Sequence, residues 1–306
     1  MISGLYALIA GLGMPVQTSI NTQLGKRTGS PFTAALINFT VGIITISAAA
    51  VIMEGNLSIP VDRILSSPPW ILTGGLLAMA FVVGNILLMP RVGSVQTAIL
   101  PALGQIIMGT LIDTFGLFGS DGRELTVSRI IGVILVFAGV VIVISSKSME
   151  NSAVKKSNVW FWRIFGILMG CCMATQTAVN SHLGTVIDSR IFAAVINFAV
   201  GLAVLIIINA VLLISGKKNK GVKEGKAPWW ILTGGLIGAW YCIGNIITAQ
   251  MLGTGMSVII LLTGLMAGGL LVDKFGICGA ARREVHLIGI FGIAVMIAGA
   301  ALFHLV

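Results

Sequence analysis

Amide side chains are the groups in this sequence whose type and spacing could do chemistry, because they recur inside long apolar segments. A bilayer offers an amide no water, so each one must hydrogen-bond to a ligand or to another helix. We identify nine of them as candidate substrate-binding residues: Gln17, Asn21, Asn38, Asn85, Gln105, Gln176, Asn180, Asn197 and Asn245. The alternative, to which the sequence gives equal weight, is that the amides bond to one another and hold helices together.

The depths of the first-half amides predict a common layer. With a rise of about 1.5 Å per residue, Gln17 and Asn85 lie about 22 Å into their segments, and Asn38 lies about 10 Å into a segment of opposite direction. All three fall slightly to one side of the midplane of a core about 30 Å thick, and Asn21 lies one turn beyond Gln17. Equivalent amides in the second half form a second layer, so a central cavity between two amide layers is predicted.

Gln105 breaks the symmetry between the halves, because the second half has Leu265 at the equivalent position. It lies one turn after Pro101, which removes a helix hydrogen bond and permits a kink. Symmetry of the scaffold cannot explain an asymmetric polar residue, so we favour Gln105 as substrate-facing over packed. The aromatic pair Trp240 and Tyr241 could stack on a ligand, although ordinary packing is the favoured interpretation.

Acidic residues are absent from the middle of every apolar segment, and two lie near segment ends. Asp113 and Asp273 occupy the last turns of the fourth and ninth segments, where the helix dipole disfavours a carboxylate. Each is followed ten residues later by an arginine, Arg123 or Arg283. We predict an ion pair that closes each loop, as a structural tie in preference to a gate. A buried carboxylate relay is the usual mark of proton coupling, and the sequence shows none.

The sequence carries no recognisable catalytic or cofactor site. It shows no combination of acid, base, nucleophile or metal ligands, and no Gly-x4-Gly-Lys-Ser/Thr phosphate loop. Cys171, Cys172, Cys242 and Cys278 lie in or beside apolar segments without a Cys-x-x-Cys pair, and we interpret them as packing residues. The prediction is a protein that is not an enzyme and that binds neither metal nor cofactor.

Ten apolar segments must position these side chains. Apolar residues make up 57% of the 306 residues and charged residues 9%, against about 25% charged in an ordinary soluble domain. Each segment has roughly the 20 residues that a helix needs to cross a bilayer. The segments cover 2–24, 31–53, 70–90, 93–114, 128–146, 160–183, 190–214, 229–250, 254–275 and 286–305. An all-α integral membrane protein, with lipid as its solvent, is predicted.

An internal duplication relates the first five segments to the last five. Gln17-Thr-Ser-Ile-Asn21 recurs as Gln176-Thr-Ala-Val-Asn180, and Ala34-Ala-Leu-Ile-Asn38-Phe as Ala193-Ala-Val-Ile-Asn197-Phe, both 159 residues later. Trp70-Ile-Leu-Thr-Gly-Gly recurs at Trp230, 160 residues later. Because five is odd, the second copy must be inverted, which is a recurring construction of secondary transporters. We predict two inverted five-helix repeats, residues 1–150 and 151–306.

The net charge of +9 is distributed unevenly. Of the 19 Lys and Arg residues, 15 fall on the side that is reached after the first segment and 4 on the other. This positive-inside asymmetry predicts a bacterial inner membrane protein with both termini outside. The charge sets orientation, so no nucleic-acid partner is predicted. A homodimer is compatible with the sequence, which does not specify the oligomeric state.

Three motifs together resemble the YdcZ-like branch of the drug/metabolite transporter superfamily. They are Gln-x3-Asn-x2-Leu, Ala-Ala-x-Ile-Asn-Phe-x2-Gly and Trp-x-Leu-x-Gly-Gly, each once per half. The chain is similar to the fused, two-repeat form of that branch. The resemblance implies a ten-helix fold with a central cavity and an export function. One departure is that small multidrug members carry a first-helix glutamate, where this chain offers only Gln17 and Asn21.

The leading hypothesis for function is a secondary transporter that exports a small metabolite or amphipathic compound by alternating access. A flippase for a lipid-linked precursor is one alternative, and a passive channel is another, which a saturable flux would exclude. The alternative outside transport is a scaffold, which would tolerate loss of the paired asparagines without losing any flux.

Overall fold

A computed structural model describes residues 2–55, 58–120, 122, 124, 126–145, 158–215, 221, 226–252 and 254–305 of the protein. These residues form eleven α-helices and no strand: α1 (Ile2–Thr28), α2 (Pro31–Glu54), α3 (Val61–Leu65), α4 (Thr73–Val92), α5 (Ser94–Phe115), α6 (Val127–Ser145), α7 (Val159–Ile187), α8 (Arg190–Ile214), α9 (Gly234–Leu252), α10 (Thr254–Phe275) and α11 (Leu287–Leu305). Except for the five-residue α3, each helix is 19 residues or longer and coincides with one predicted apolar segment.

Length and apolar composition confirm an all-α membrane protein. Within the described residues, seven helices are long and apolar enough to cross a bilayer, and the number of ten crossings remains a prediction. The outer face of α6 shows what covers these helices. Ile130, Ile134, Phe137 and Val141 form a stripe along it, at the spacing of one helix face, and each is 42–60% exposed. In water such a stripe would drive aggregation, whereas in lipid it is the expected surface.

Polar caps fix where the second helix of each half begins. Ser30 precedes α2 in an extended conformation, and its side chain accepts a hydrogen bond from the backbone N–H of Thr33. Ser189 does the same for Phe192 at the start of α8. Each serine satisfies one of the N–H groups that a helix start leaves unpaired. The chain therefore turns sharply after α1 and after α7, which brings α2 and α8 back through the bundle.

Reciprocal glycine contacts place the equivalent helices α6 and α11 antiparallel. A Cβ atom on Gly132 would lie 2.8 Å from the carbonyl oxygen of Gly299, and one on Gly139 would lie 2.6 Å from that of Gly292. Gly292 and Gly299 are themselves the positions 160 residues after Gly132 and Gly139. Gly132 thus contacts the equivalent of Gly139, and Gly139 contacts the equivalent of Gly132. This reciprocal pattern is the arrangement that an inverted duplication produces. The boundary between residues 1–150 and 151–306 stays a prediction.

The same exchange occurs at the centre of the bundle, between α2 and α8. Phe39 packs on Gly201, Phe198 packs on Gly42, and the two rings lie 5.3 Å apart between centroids. Glycine three residues after each phenylalanine leaves room for the opposite ring. This contact explains why the segment Asn-Phe-x-x-Gly occurs in both halves, and it holds the two halves together near their axis.

Candidate functional site

The first asparagine pair, Asn21 on α1 and Asn38 on α2, joins two helices of the first half to one of the second. The Asn38 side-chain N–H donates a hydrogen bond to Asn21 Oδ1 at 3.1 Å, and both residues are buried. A Cβ atom on Gly234, the first residue of α9, would collide with Asn21 Oδ1. Glycine at this position therefore lets the amide pair approach the start of α9 directly.

The second pair, Asn180 on α7 and Asn197 on α8, occupies the equivalent place at the start of α4. A Cβ atom on Gly74 would lie 2.5 Å from Asn180 Oδ1 and 3.1 Å from Asn197 Oδ1. Neither oxygen has a hydrogen-bond partner in the described part of the chain. Both face the first turn of α4, whose N-terminal dipole attracts acceptor oxygens. Each asparagine pair thus lies at a helix start in the other half.

The remaining candidate residues that lie outside the cleft described next are Gln17, Gln176 and Asn245. Gln17 packs against Gly238 of α9, where a Cβ atom would lie 2.5 Å from its side-chain nitrogen. Gln176 keeps a buried Oε1 without a partner within the described ranges. Asn245 does interact with a partner group. These residues, like the two asparagine pairs, are not among those that line the cavity described next.

A central cleft lies between six helices, three from each predicted half. Its empty volume is about 520 Å³, which includes space open to solvent. The lining residues come from α1, α4 and α5 of the first half and from α7, α9 and α10 of the second: Met14, Pro15, Thr18, Phe81, Asn85, Met89, Ser94, Thr97, Ala98, Pro101, Gln105, Met173, Tyr241, Leu262 and Leu265.

Asn85 and Gln105 are the predicted site residues that the structure brings to this cleft. Asn85 is 6% exposed, and its Oδ1 is buried without a hydrogen-bond partner among the residues that the structure describes. Gln105 is partly exposed on α5, one turn beyond Pro101. An unsatisfied buried acceptor next to a cavity is costly for the empty protein. The cleft therefore offers a ligand polar groups that the fold does not use.

Several lining residues were not predicted, and ordinary residue types explain why. Three methionines, Met14, Met89 and Met173, supply flexible apolar surface, and Thr18 and Thr97 supply hydroxyl groups. Neither the methionines nor the threonines could be selected from the sequence, because such residues occur throughout apolar helices. Tyr241 does line the cleft.

The Asp273 carboxylate caps the start of α5 from a distant part of the chain. Its oxygens accept hydrogen bonds from the backbone N–H groups of Ser94 at 2.8 Å and Val95 at 3.0 Å, and the residue is 4% exposed. Arg283 donates to the carbonyl oxygen of Val92 at 2.9 Å, beside Gly93. We call this end of the bundle, where α4 ends and α5 begins, the Asp273 end.

The opposite end, where α5 ends, is the Asp113 end, and its carboxylate has a different partner. Asp113 forms an ion pair with Arg129 at the start of α6, with 3.4 Å between Nη2 and Oδ2. The Asp113 side chain is one-third exposed. Arg123, the predicted partner of Asp113, lies outside the described residues. The two duplicated aspartates therefore make different interactions in this structure.

A second cavity opens at the Asp273 end, next to the cleft. It has about 460 Å³ of empty volume and is lined by Lys26, Asp273 and Arg283 among others. Met89 and Ser94 line both cavities. The Sδ of Met89 also accepts a hydrogen bond from the Thr22 hydroxyl at 3.6 Å, which joins α4 to α1. Met89, Ser94 and the Asp273 cap thus form a partition between the cleft and this end.

Metal-binding groups do not come together in the described part of the chain. No three His, Cys, Asp or Glu side chains there are close enough to hold an ion. The cleft presents amides, hydroxyl groups and apolar surface to a ligand.

Comparisons with known proteins identify relatives of this chain. The sequence profile of the family described as "Putative inner membrane exporter, YdcZ" matches residues 2–142 and again residues 161–302. The inner membrane protein YdcZ of Escherichia coli (strain K12) is 28% identical over 134 residues, which are 44% of this chain and 89% of that protein. A solved structure described as "Crystal structure of protein" aligns with a TM-score of 0.63 at 14% identity, over 99% of this chain and 96% of the other.

These relatives and the apolar helices together indicate a multi-pass inner membrane protein. The solved structure, at its low identity, shows that the fold is shared and nothing more. The family profile carries the relationship, because it covers nearly the whole chain in two successive matches. This chain therefore belongs to the YdcZ family of drug/metabolite transporters, in a form that contains the family's sequence twice.

Proposed function

We propose that this protein, a membrane transporter by family, is a secondary transporter that exports a small metabolite or amphipathic compound by alternating access. The observation that carries the proposal is the central cleft, which three helices of each half build together. A site between two inverted halves can open to either side when one half moves against the other. With the orientation that the Lys and Arg asymmetry predicts, the Asp273 end is cytoplasmic.

The difference between the two ends of the bundle supports alternating access. At the Asp273 end, Asp273 of α10 caps the start of α5, Arg283 donates to Val92, and Thr22 of α1 contacts Met89 of α4. At the other end, Asp113 pairs with Arg129 at the start of α6. The contacts between helices of the two halves at the Asp273 end support a state in which this end is closed.

Accessibility of one cleft residue tests the proposal without knowledge of the substrate. In a variant whose four cysteines are replaced by alanine, Thr18→Cys places a thiol on the cleft. A membrane-impermeant methanethiosulfonate is added to one face of proteoliposomes at a time, and we expect slow labelling from both faces. A compound library is then screened for members that slow the labelling, and these members should show saturable flux. Thr40→Cys is the matched control, because Thr40 lies on the exposed face of α2 and should be labelled from neither face.

The alternatives give different outcomes in the same experiment. A channel would label rapidly and pass small solutes without saturation. A flippase would be protected by lipid-linked compounds and not by water-soluble members of the library. Failure to label Thr18→Cys from either face, with no compound crossing the membrane, would refute transport through this cleft.

A further inference from the structure

The cleft is lined without charge. Among the residues that the structure describes, its polar side chains are two amides and a few hydroxyl groups, and none of its lining residues is acidic or basic. The charged residues Lys26, Asp273 and Arg283 line the second cavity, which shares Met89 and Ser94 with the cleft. Moving an isolated ion from water into such a site would be very unfavourable, because nothing there compensates the lost hydration. The lining therefore selects against ligands with a full charge.

Asn85 shows which kind of polar group the cleft lacks. It is more than nine-tenths buried, its Oδ1 lacks a partner among the described residues, and it lies on the cleft wall. Its equivalent Asn245 has an interaction partner and is not among the residues that line the cleft. An acceptor with no donor from the protein is completed by a donor from a ligand.

Pro101 adds a second candidate acceptor to the cleft wall. Proline has no backbone N–H, so the carbonyl group of Thr97, four residues earlier on α5, loses its intrahelical donor. Both residues line the cleft. The second half has Leu261 at the position of Pro101, so this acceptor belongs to the first half alone. Asn85 Oδ1 and the Thr97 carbonyl group lie on α4 and α5, respectively.

The rest of the wall is apolar and adaptable. Met14, Met89 and Met173 approach from three different helices, and Phe81 and Tyr241 add aromatic surface. Thioethers fit planar or irregular apolar groups and contact aromatic rings favourably. A ligand that fills this space would have an apolar body and a polar end.

We propose that the cleft binds uncharged amphipathic molecules that carry a hydrogen-bond donor, and that Asn85 selects for the donor by accepting its hydrogen bond. This inference rests on the proposed transport function and narrows its substrate class. Asn85 is then a specificity-determining residue, and Gln105, which can donate or accept, is free to adapt to the remainder of the polar end.

Four small probes of one shape separate charge from hydrogen-bonding capacity. Phenylacetamide is neutral and has a donor, N,N-dimethylphenylacetamide is neutral without a donor, phenylacetate is an anion, and phenethylammonium is a cation. Binding of each radiolabelled probe to the purified full-length protein in nanodiscs is measured by equilibrium dialysis, with empty nanodiscs subtracted. We expect phenylacetamide to bind about three- to tenfold more tightly than its dimethyl analogue, the effect of one hydrogen bond. Both charged probes should bind at least tenfold more weakly than phenylacetamide.

The variant Asn85→Leu tests the residue that carries the selection. Leucine has a similar volume and offers no acceptor, so the preference for phenylacetamide over the dimethyl analogue should fall to about one, while the dimethyl analogue keeps its affinity. Asn209→Leu is the matched control. Asn209 is also a buried amide, but it bonds to Thr33 and to backbone carbonyls between α2 and α8, away from the cleft. Its loss should leave the ratio of the two affinities unchanged.

Three outcomes would overturn the substrate class. These are equal or tighter binding of a charged probe, a ratio that Asn85→Leu does not change, and no binding by any of the four probes. They are distinguishable from failure of transport itself, because labelling of Thr18→Cys from both faces does not depend on the probes. If that labelling occurs and the probe order is wrong, transport stands and the ligand class is refuted.

Discussion

At the scale of single residues, two buried asparagines of the first half have opposite roles in the fold. Asn38 donates to Asn21 and so satisfies an acceptor inside the protein. Asn85 keeps an acceptor that nothing in the described chain satisfies. Removing one partner of a buried hydrogen bond costs more than removing a group that had none. Replacing Asn38 and replacing Asn85 should therefore affect stability differently, which distinguishes a structural amide from one that is available to a ligand.

We expect Asn38→Ala to lower the free energy of unfolding by about 1–3 kcal/mol, because it leaves Asn21 Oδ1 buried and unsatisfied. Asn85→Leu should leave the stability unchanged or raise it slightly, since it removes an acceptor that lacks a donor. The measurement is the midpoint of thermal unfolding of the purified variants in detergent without ligand. Equal losses in both variants would mean that Asn85 is a structural residue as well.

The sequence predicts that these amides matter but cannot assign their roles. Asn85 and Asn245 follow a glycine in the same local pattern of both halves, yet only Asn85 lines the cleft. The difference arises from residues on neighbouring helices, which no spacing within one segment reveals. Gln105 could be selected from the sequence because its equivalent is Leu265, so the break in the repeat was visible there.

At the scale of helices, the starts of α4 and α9 are places where the two halves contact each other. Each start is a Gly-Gly pair, and each receives the asparagine pair of the opposite half. Gly75 and Gly235, the second glycines, lie against the backbones of α8 and α2 in the same reciprocal way. The Gly-Gly part of the repeated Trp-x-Leu-x-Gly-Gly motif is thus explained by contacts across the halves.

We expect Gly234→Ala to destabilise the protein by about 1–3 kcal/mol, because the added methyl group collides with Asn21. In the double variant with Asn21→Ala, the loss of stability should be clearly smaller than the sum of the losses in the two single variants, because the collision is gone. The control is Gly109→Ala on α5, where an added Cβ meets nothing within 4 Å. Thermal unfolding of the four proteins measures the coupling. Simple additivity of Gly234→Ala and Asn21→Ala would contradict the contact.

The start of α5 gives a prediction about gating. Asp273→Asn keeps the shape of the cap but removes its charge and one of its two accepting oxygens. One hydrogen bond is lost and the other is weakened, and such bonds are worth about 1.5–3 kcal/mol when one partner is charged. Labelling of Thr18→Cys from the Asp273 end should then be about fivefold faster or more. Asp113→Asn is the matched comparison at the other end, where the carboxylate pairs with Arg129, and it should not speed labelling from the Asp273 end. Unchanged labelling in Asp273→Asn would make the cap a structural tie.

The contact of Asp273 with the start of α5 also shows what sequence analysis cannot predict at the scale of helices. The segments, their ends and the need of Asp273 for a positive partner were all accessible from the sequence. The partner that the structure places there, the start of α5, is 179 residues away along the chain. It can be recognised only once α5 and α10 are known to cross.

At the scale of the whole molecule, the duplication determines the architecture but not the conformational state, that is, which end of the bundle is closed. A near-constant offset of 159–160 residues predicts equivalent helices, and the reciprocal contacts of α6 with α11 and α2 with α8 follow from it. A duplicated sequence alone would give two identical ends. Among the described residues, the ends differ because Asp273 caps the start of α5, whereas Asp113 pairs with Arg129 at the start of α6. Only the three-dimensional arrangement shows this difference.

If the closed Asp273 end must open during transport, a link between α1 and α4 should stop the cycle. Thr22 and Met89 are in contact across this interface, with 3.6 Å between Oγ1 and Sδ. We expect Thr22→Cys with Met89→Cys, in the variant without native cysteines, to lose flux when a short bifunctional methanethiosulfonate joins the two thiols. Flux should return on reduction, and each single variant should be insensitive to the reagent.

The same link should act on the two faces of the membrane differently. A lock at the Asp273 end holds the cleft in the state of this structure, because the cross-link prevents α1 and α4 from separating. A membrane-impermeant maleimide is added to the locked protein after the cross-linker is washed away. Its labelling of a cleft thiol at Thr97→Cys should be lost from the Asp273 face and retained or accelerated from the Asp113 face. Loss of labelling from both faces would mean that the described state is closed at both ends, and unimpeded flux through the locked protein would show that α1 and α4 need not part for transport.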